Sequence, residues 1–370
     1  MAADEQKAIE ELKGKLKNAD PAGFRAVVGF DGFIDEIIHP VAKREGVGSY
    51  EPIRTIAEFA ERVAGAAGKS ANIEMAPVKV KLGGNGPIMA EALVRLGAGV
   101  TYIGCLGRPR IHPVFQEFAR ICDVISLEEP AHTDALEFHD GKLMLGKMIV
   151  FEELDWRRLS EAVPVEKMAE LVGAARLLAM VNWTMLPWMT DIWRRILDEV
   201  CPKLPAGERL AFFDLADPQK RTAEDLAEAL ETTKKFSDHF KVILGLNERE
   251  AQQVASLLAG GDRGGETAEA NTEAIAARLG IYAIVVHPTD RAMTVIDGKL
   301  HVQKGPFTND PLITTGAGDH FNAGFCTGQL AGLSPRASLL AGVGCSGYYV
   351  RTGESPGVEA LARFIETGKT

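Results

Sequence analysis

The sequence predicts an α/β fold, a mostly parallel sheet with helices on both faces, carrying a small β lid. Three observations predict it. Short apolar runs ending in Gly or an acid alternate with amphipathic helical stretches along most of the chain, as in strand–helix–strand crossovers. One hairpin signal breaks that alternation: Asp140-Gly141 flanked by alternating Leu136, Phe138, Leu143 and Leu145, which suits a lid over the main sheet. At 370 residues the chain exceeds the roughly 250–300 at which a single core stops growing, so a large domain with a smaller appendage, or two domains, is expected.

In chain order, residues 1–20 are charged and helical in pattern, with Ile9, Leu12 and Leu16 on one face, and resemble neither a signal nor a transit peptide. Ala26–Phe30 is a buried strand that leads into Asp31-Gly32-Phe33-Ile34-Asp35. Two acids bracketing an apolar pair past a strand end can grip sugar hydroxyls, because each carboxylate accepts several hydrogen bonds; a turn with a surface acid accounts equally for those letters. Residues 53–65 form an amphipathic helix. The following Gly65–Ser70 nearly spells a P-loop, but Val63 replaces the first Gly and a helix rather than a strand precedes it, so it is a Gly-rich helix end. Val78–Leu82 alternates as a strand with one wet face. Gly83-Gly84-Asn85-Gly86-Pro87 then turns into a helix with Pro87 at its first position, placing backbone and Asn85 where a ligand can meet them. Residues 99–107 form a second buried strand, and residues 133–150 the hairpin.

The second half repeats the alternation: strand 175–181, helix 187–199, strand 210–215 closing with Asp214 and Asp217, helix 222–235, strand 241–246, helix 248–258, strand 283–286. Residues 262–271 are expected to be an exposed loop. Gly342-x-Gly344-x-x-Gly347 matches a dinucleotide fingerprint by letter, but no strand precedes it, and close helix packing explains it better. In a sheet of this kind ligands sit beyond the C-terminal strand ends. Asp31, Gly83-Gly84, Asp214, Asn247 and Asp319 all follow strands or strand-like runs, which favours one shared site over unrelated turns.

The chemistry centres on Ile313–Phe325, where the turn Gly316-Ala317-Gly318 precedes Asp319 and a run of small and apolar residues at helical spacing. The first N–H groups of a helix have no partner within it and carry the positive end of the dipole, so they suit a phosphate. An acid there repels the same phosphate, unless it takes a proton from the hydroxyl that attacks it. A plain helix start with Asp in its first turn is the other account of these residues.

Composition excludes several classes. A formal charge of −10, with no run of like charges, argues against nucleic acid as a partner. No stretch is long enough to span a membrane. Five scattered cysteines without Cys-x-x-Cys point to a reduced, cytoplasmic compartment, and eight histidines without metal-ligand pairing such as His-x-x-x-His argue against a zinc site.

Three motifs in order give the chain a resemblance to the ribokinase-like (PfkB) family of carbohydrate kinases: LGGNGPIMAEALVRLGAGVTYIGCLG, then Asn247-Glu248-Arg249-Glu250 as Asn-x-x-Glu, then Thr314-Thr315-Gly316-Ala317-Gly318-Asp319. The resemblance covers about residues 26–365 and implies a doubly wound domain over 1–370. Its β-sheet lid would be built from approximately 32–45, 76–82 and 132–151. It implies transfer of the ATP γ-phosphoryl group to a hydroxyl of a small molecule, with Asp319 as general base and the N–H groups of Gly316, Ala317 and Gly318 as the anion hole. Asn247 and Glu250 would help hold Mg2+ through water. Asn247, Thr289, Thr315 and Gly318 would meet the nucleotide, and Asp31, Asp35, Gly84 and Asn85 the acceptor. Family members often dimerise through their lids, and the apolar hairpin is compatible with a homodimer of that kind.

The chain also departs from the family pattern. Ile313 stands where many members carry Asp, so the resemblance carries over no monovalent-cation site. Ile88 replaces a frequent Asn, Thr289 and Ala292 replace nucleotide-loop glycines, and RPRIHP replaces an Asp-x-x-Gly. Members acting on sugar phosphates often have Lys where this chain has Asn85. Because Asp31 and Asp35 would also repel a phosphate, a neutral sugar or polyol is the expected acceptor. Arg108 and Arg110 keep a sugar-phosphate acceptor as an alternative. A nucleoside would need a platform such as Phe33, Trp183 or Phe138. A non-catalytic binding or regulatory protein that retains the fold is the rival from another class.

Overall fold

The computed structural model describes residues 2–17 and 24–370; residues 18–20 of the N-terminal helical reading lie outside them. In chain order the strands are β1 (Arg25–Phe30), β2 (Phe33–Gly46), β3 (Ser49–Pro52), β4 (Met75–Gly83), β5 (Gly99–Gly104), β6 (Asp123–Ser126) and β7 (Ala131–Phe138). They continue with β8 (Gly141–Lys147), β9 (Leu177–Met180), β10 (Leu210–Asp214), β11 (Lys241–Leu246), β12 (Ala283–Val286), β13 (Arg291–Ile296) and β14 (Lys299–Lys304).

Nine strands form the main sheet in the order β14-β13-β12-β11-β10-β9-β1-β5-β6. All pairings from β6 to β12 are parallel, and β13 and β14 close the far edge as an antiparallel hairpin. Strands such as Leu177–Met180 are buried at every position, as parallel strands covered on both faces must be. Alternation divides their side chains between two cores: Ala211 and Phe213, Val242 and Leu244 enter one, Leu210, Phe212 and Ile243 the other. The N-terminal helix, Ala2–Lys17, sets Ala8, Leu12 and Leu16 into the second core.

The path of the chain positions the site. From β1 it moves to β5 and β6 on one side, then returns to β9 on the other and continues to β12. Connections therefore diverge between β1 and β9, opening a crevice at their C-terminal ends. A second sheet of five strands joins β2, β3, β4, β7 and β8. The near half of β2 lies between antiparallel β4 and parallel β7, and its far half pairs with β3.

Several expected boundaries shift. The helix after the glycine turn begins at Asn85 with Gly84 as its N-cap, so Pro87 is its third residue rather than its first; its missing N–H still falls among donors a first turn leaves unpaired. The helix expected at 53–65 spans Ile56–Ala64, capped by Thr55. The 187–199 helix is α-helical only over Met189–Arg195 and then widens into a π turn, Ile196–Val200. Residues 268–271 are not loop: Thr267 accepts from the Ala270 N–H and caps a helix, Ala268–Leu279. Gly342, Gly344 and Gly347 lie inside the helix Pro335–Thr352; a Cβ on Gly342 would come within 2.7 Å of the Phe321 ring. Among the described residues no helix is long and apolar enough to cross a membrane.

Candidate active site

The helix Ala317–Leu330 begins where Gly316, at φ 91°, turns the chain through a conformation that disfavours a side chain. This turn is held from behind. The Gly316 carbonyl accepts from the His320 amide and, at 2.7 Å, from its Nδ1; Ser355 sits on Nε2 at 2.7 Å; Tyr349 stacks on the ring at 3.7 Å and donates to the Thr315 carbonyl. Burial lowers the His320 pKa to about 4, so the ring is neutral with its proton on Nδ1. The Ala317 N–H is used within the turn, on the Thr314 carbonyl. Among the described residues, the N–H groups of Gly316 and Gly318 have no hydrogen-bond acceptor, and that of Gly318 belongs to the first turn facing the larger cavity.

The turn is a shared wall between two cavities. Thr314, Ala317 and Gly318 line one, of about 350 Å³, together with His287, Thr289, Arg291 and Phe307. Thr315, Gly316 and Asp319 line the other, of about 250 Å³, together with Asp35, Asn85, Thr133, Asn182 and Lys220. The second is smaller than the roughly 300–1,000 Å³ that houses drug-sized ligands, which suits a small polar molecule. Thr315, expected near the nucleotide, thus faces the smaller cavity, and its neighbour Thr314 faces the larger.

Asp319 is nearly buried, and Asn85 Nδ2 donates to its Oδ1 at 2.9 Å. Burial pushes its pKa well above the usual carboxylate range, and the nearby charges of Asp214, Asp31 and Glu250 add to the rise. Asp31, expected to meet the acceptor, is fully buried beneath the glycine turn. Its Oδ1 accepts from the Gly86 N–H and the Tyr102 hydroxyl, and its Oδ2 from the Asn85 N–H and Asn182 Nδ2. In this structure it holds the turn, and Asp35 lines the cavity. A Cβ on Gly86 would come within 2.6 Å of Asp31 Oδ1, which explains the glycine there.

Asn247 and Glu250 line neither cavity. They form a capping box: Asn247 Oδ1 accepts the Glu250 N–H and Glu250 Oε2 the Asn247 N–H, while Glu250 Oε1 takes the Asp217 N–H. Each of these oxygens retains a lone pair for water. Asp214, at the end of β10, lies close enough for its charge to reach Asp319, and Asn322 Nδ2 holds its Oδ2 at 3.2 Å. Burial and the charge of Glu250 raise Asp214 to about 8. Among the described residues, Asp214 Oδ1, Asn322 Oδ1 and Asn182 Oδ1 are buried acceptors with no donor. Acceptors without donors among several carboxylates fit a divalent cation such as Mg2+.

A pH dependence follows. An acid whose folded pKa is raised keeps its proton in the native state over a range where the unfolded chain has lost it. For Asp214 that range runs from the ordinary carboxylate value, 3.8, to about 8. Thermal stability without divalent cation is expected to fall as pH rises through it. Saturating Mg2+, or Asp214→Asn, should flatten the slope; a scanning calorimetry series across pH checks this.

Sequence reasoning missed His287, Asn182, Asn322 and Lys220. His287 follows β12, is neutral because burial lowers it to about 4, packs against Phe321 at 4.7 Å and lies 3.2 Å from where a Gly318 Cβ would be. Asn182 was findable as the polar residue two positions past the end of β9. Of the aromatic platforms expected for a nucleoside, Phe33 alone lines the small cavity. Trp183 is fully buried under Arg221, and Phe138 packs on Phe59. Arg108 and Arg110 are exposed and line neither cavity.

Comparison with known proteins agrees with this geometry. Residues 3–367 match the family model described as prokaryotic ketohexokinase. A ketohexokinase from Haloferax volcanii is 33% identical over 346 residues, covering 92% of this chain and 91% of that protein. Among solved structures, ribokinase from Thermotoga maritima superposes with a TM-score of 0.63 at 16% identity, covering 93% of this chain and 99% of that one. Adenosine kinase from Sinorhizobium meliloti superposes with a TM-score of 0.62 at 19% identity, covering 94% and 99%.

Proposed function

Because the chain belongs to the prokaryotic ketohexokinase family of ribokinase-like (PfkB) kinases, we propose that it transfers the γ-phosphoryl group of ATP to a hydroxyl of a free ketohexose or related polyol. The observation that carries this reading is the shared wall: residues 314–319 touch one cavity at Thr314, Ala317 and Gly318 and the other at Thr315, Gly316 and Asp319. A base on one side and an amide cradle on the other is what transfer between two ligands requires.

In this reading the sugar lies in the smaller cavity, with hydroxyls on Asp35, Asn85 and Thr133. Asp319, oriented by Asn85, takes the proton of the attacking hydroxyl; burial and the neighbouring carboxylates make it a stronger base than an exposed carboxylate. The triphosphate enters from the larger cavity, and the Gly318 N–H meets its transferring end. A divalent cation, held by Asp214 and through water by Asn247 and Glu250, would neutralise charge on the phosphates. The smaller sheet, with segments 32–45, 76–82 and 132–151, acts as the lid: its inner face gives Asp35, Thr133, Met144 and Gly146 to the acceptor cavity. Closing it excludes water that would otherwise consume ATP.

The test is a coupled assay of ATP consumption across free ketohexoses, aldoses, sugar phosphates and nucleosides. Turnover with a free ketohexose is expected, and Asp35→Asn should raise KM for it by about tenfold, the loss of one charge-assisted hydrogen bond. Turnover confined to sugar phosphates or nucleosides would overturn the reading.

A further inference from the structure

The face of the smaller sheet turned away from the cleft carries a cluster that phosphoryl transfer does not use. Glu36 on β2 pairs in register with Asp134 on β7, and His132 precedes Asp134 by two residues, so all three project from one face. Asp35 and Thr133, of opposite parity, project toward the acceptor cavity. His132 Nε2 lies 3.2 Å from Glu36 Oε2 and 3.1 Å from Asp134 Oδ1, and the three ligand atoms all lie within 4.8 Å of one another. Like charges directly opposite across two strands destabilise a sheet. One imidazole nitrogen can donate a single proton and so can answer only one of these carboxylates.

We propose that Glu36, His132 and Asp134 form a divalent transition-metal site of the zinc class, separate from the catalytic centre. A tetrahedral ion with bonds of about 2.0–2.2 Å sets its ligands roughly 3.3–3.6 Å apart, close to the separations around His132 Nε2. One imidazole and two carboxylates are a borderline donor set that favours such an ion over Mg2+. The support for Asp134 is already built: Lys147 Nζ holds its Oδ2 at 2.9 Å, leaving Oδ1 for the ion. In register on either side stand Val80 and Leu145, which flank the polar cluster with apolar surface. The ion would join β2 to β7 and so brace the sheet that overhangs the acceptor cavity.

The experiment is calorimetric titration of the full chain, stripped with chelator, with ZnCl2 in the absence of nucleotide. One equivalent is expected to bind. His132→Ala should weaken this by about 100-fold, and Glu36→Gln and Asp134→Asn by about tenfold each, the scale on which lost ligand support weakens metal sites. Asp214→Asn should leave it unchanged, which separates this site from the catalytic cation whether or not the kinase reading stands. Zn2+ should also raise the unfolding temperature of the wild type but not of His132→Ala, whose melting without metal reports that it folds. No binding by the wild type, undiminished binding by His132→Ala, or loss of binding in Asp214→Asn would overturn the proposal.

Discussion

Asp319→Asn is expected to lower kcat by about 10²–10⁴ while leaving KM for both substrates nearly unchanged. The substitution keeps shape and removes only the ability to take a proton. Its Oδ1 can still accept from Asn85 Nδ2, so the wall between the cavities stays in place. It also removes an acid whose ionisation is opposed by burial and by three neighbouring carboxylates. Thermal stability near neutral pH should therefore hold or rise, which separates a chemical loss from misfolding. The coupled assay reads the rate, and calorimetry with a non-hydrolysable ATP analogue reads nucleotide binding. An undiminished kcat would remove the base assignment.

Asp31→Ala is expected to have the largest effect on stability among the site residues. It removes the acceptor for the Asn85 and Gly86 amides and for Asn182 Nδ2, at 2.9, 2.9 and 2.7 Å, in a region closed to solvent. The Tyr102 hydroxyl keeps a bond to the Asp31 carbonyl at 2.7 Å. A buried donor left unpaired costs roughly 1–3 kcal/mol, so the loss should reach about 3 kcal/mol or more. Asp31→Asn should recover part of it, since an oxygen in the Oδ2 position still accepts from the Asn85 N–H and Asn182 Nδ2 while its NH2 opposes the Gly86 N–H. Urea melts of the two variants check the order. Acceptor KM should rise in both, because the glycine turn that presents Asn85 is what Asp31 holds.

The parts of the fold legible in the sequence were those set by period and punctuation. Strands such as Ala283–Val286 and Lys241–Leu246 are apolar runs bounded by polar residues, and their ends matched. The helix from Ala268 was hidden because its first turn, AEAN, is as polar as the loop before it; only Thr267 three residues ahead of Ala270 signalled a cap. The turn at 314–319 was legible as a glycine-lined helix start carrying an acid in its first turn, and Asn85 as part of the glycine turn that follows β4. The inward placement of Asp31 was not, since no spacing rule tells whether a carboxylate after a strand faces its own turn or the cleft. His287 and Asn322 were hidden for a related reason: each is a single polar residue, one just past β12 and one inside the helix Ala317–Leu330, with no motif around it to mark it.

The partition at residues 314–319 has a thermodynamic consequence. Since one short segment bounds both chambers, any ligand that repositions it on one side changes the shape offered on the other. Such linkage is reciprocal, so a sugar that tightens nucleotide binding must itself be bound more tightly in the presence of nucleotide, by the same factor.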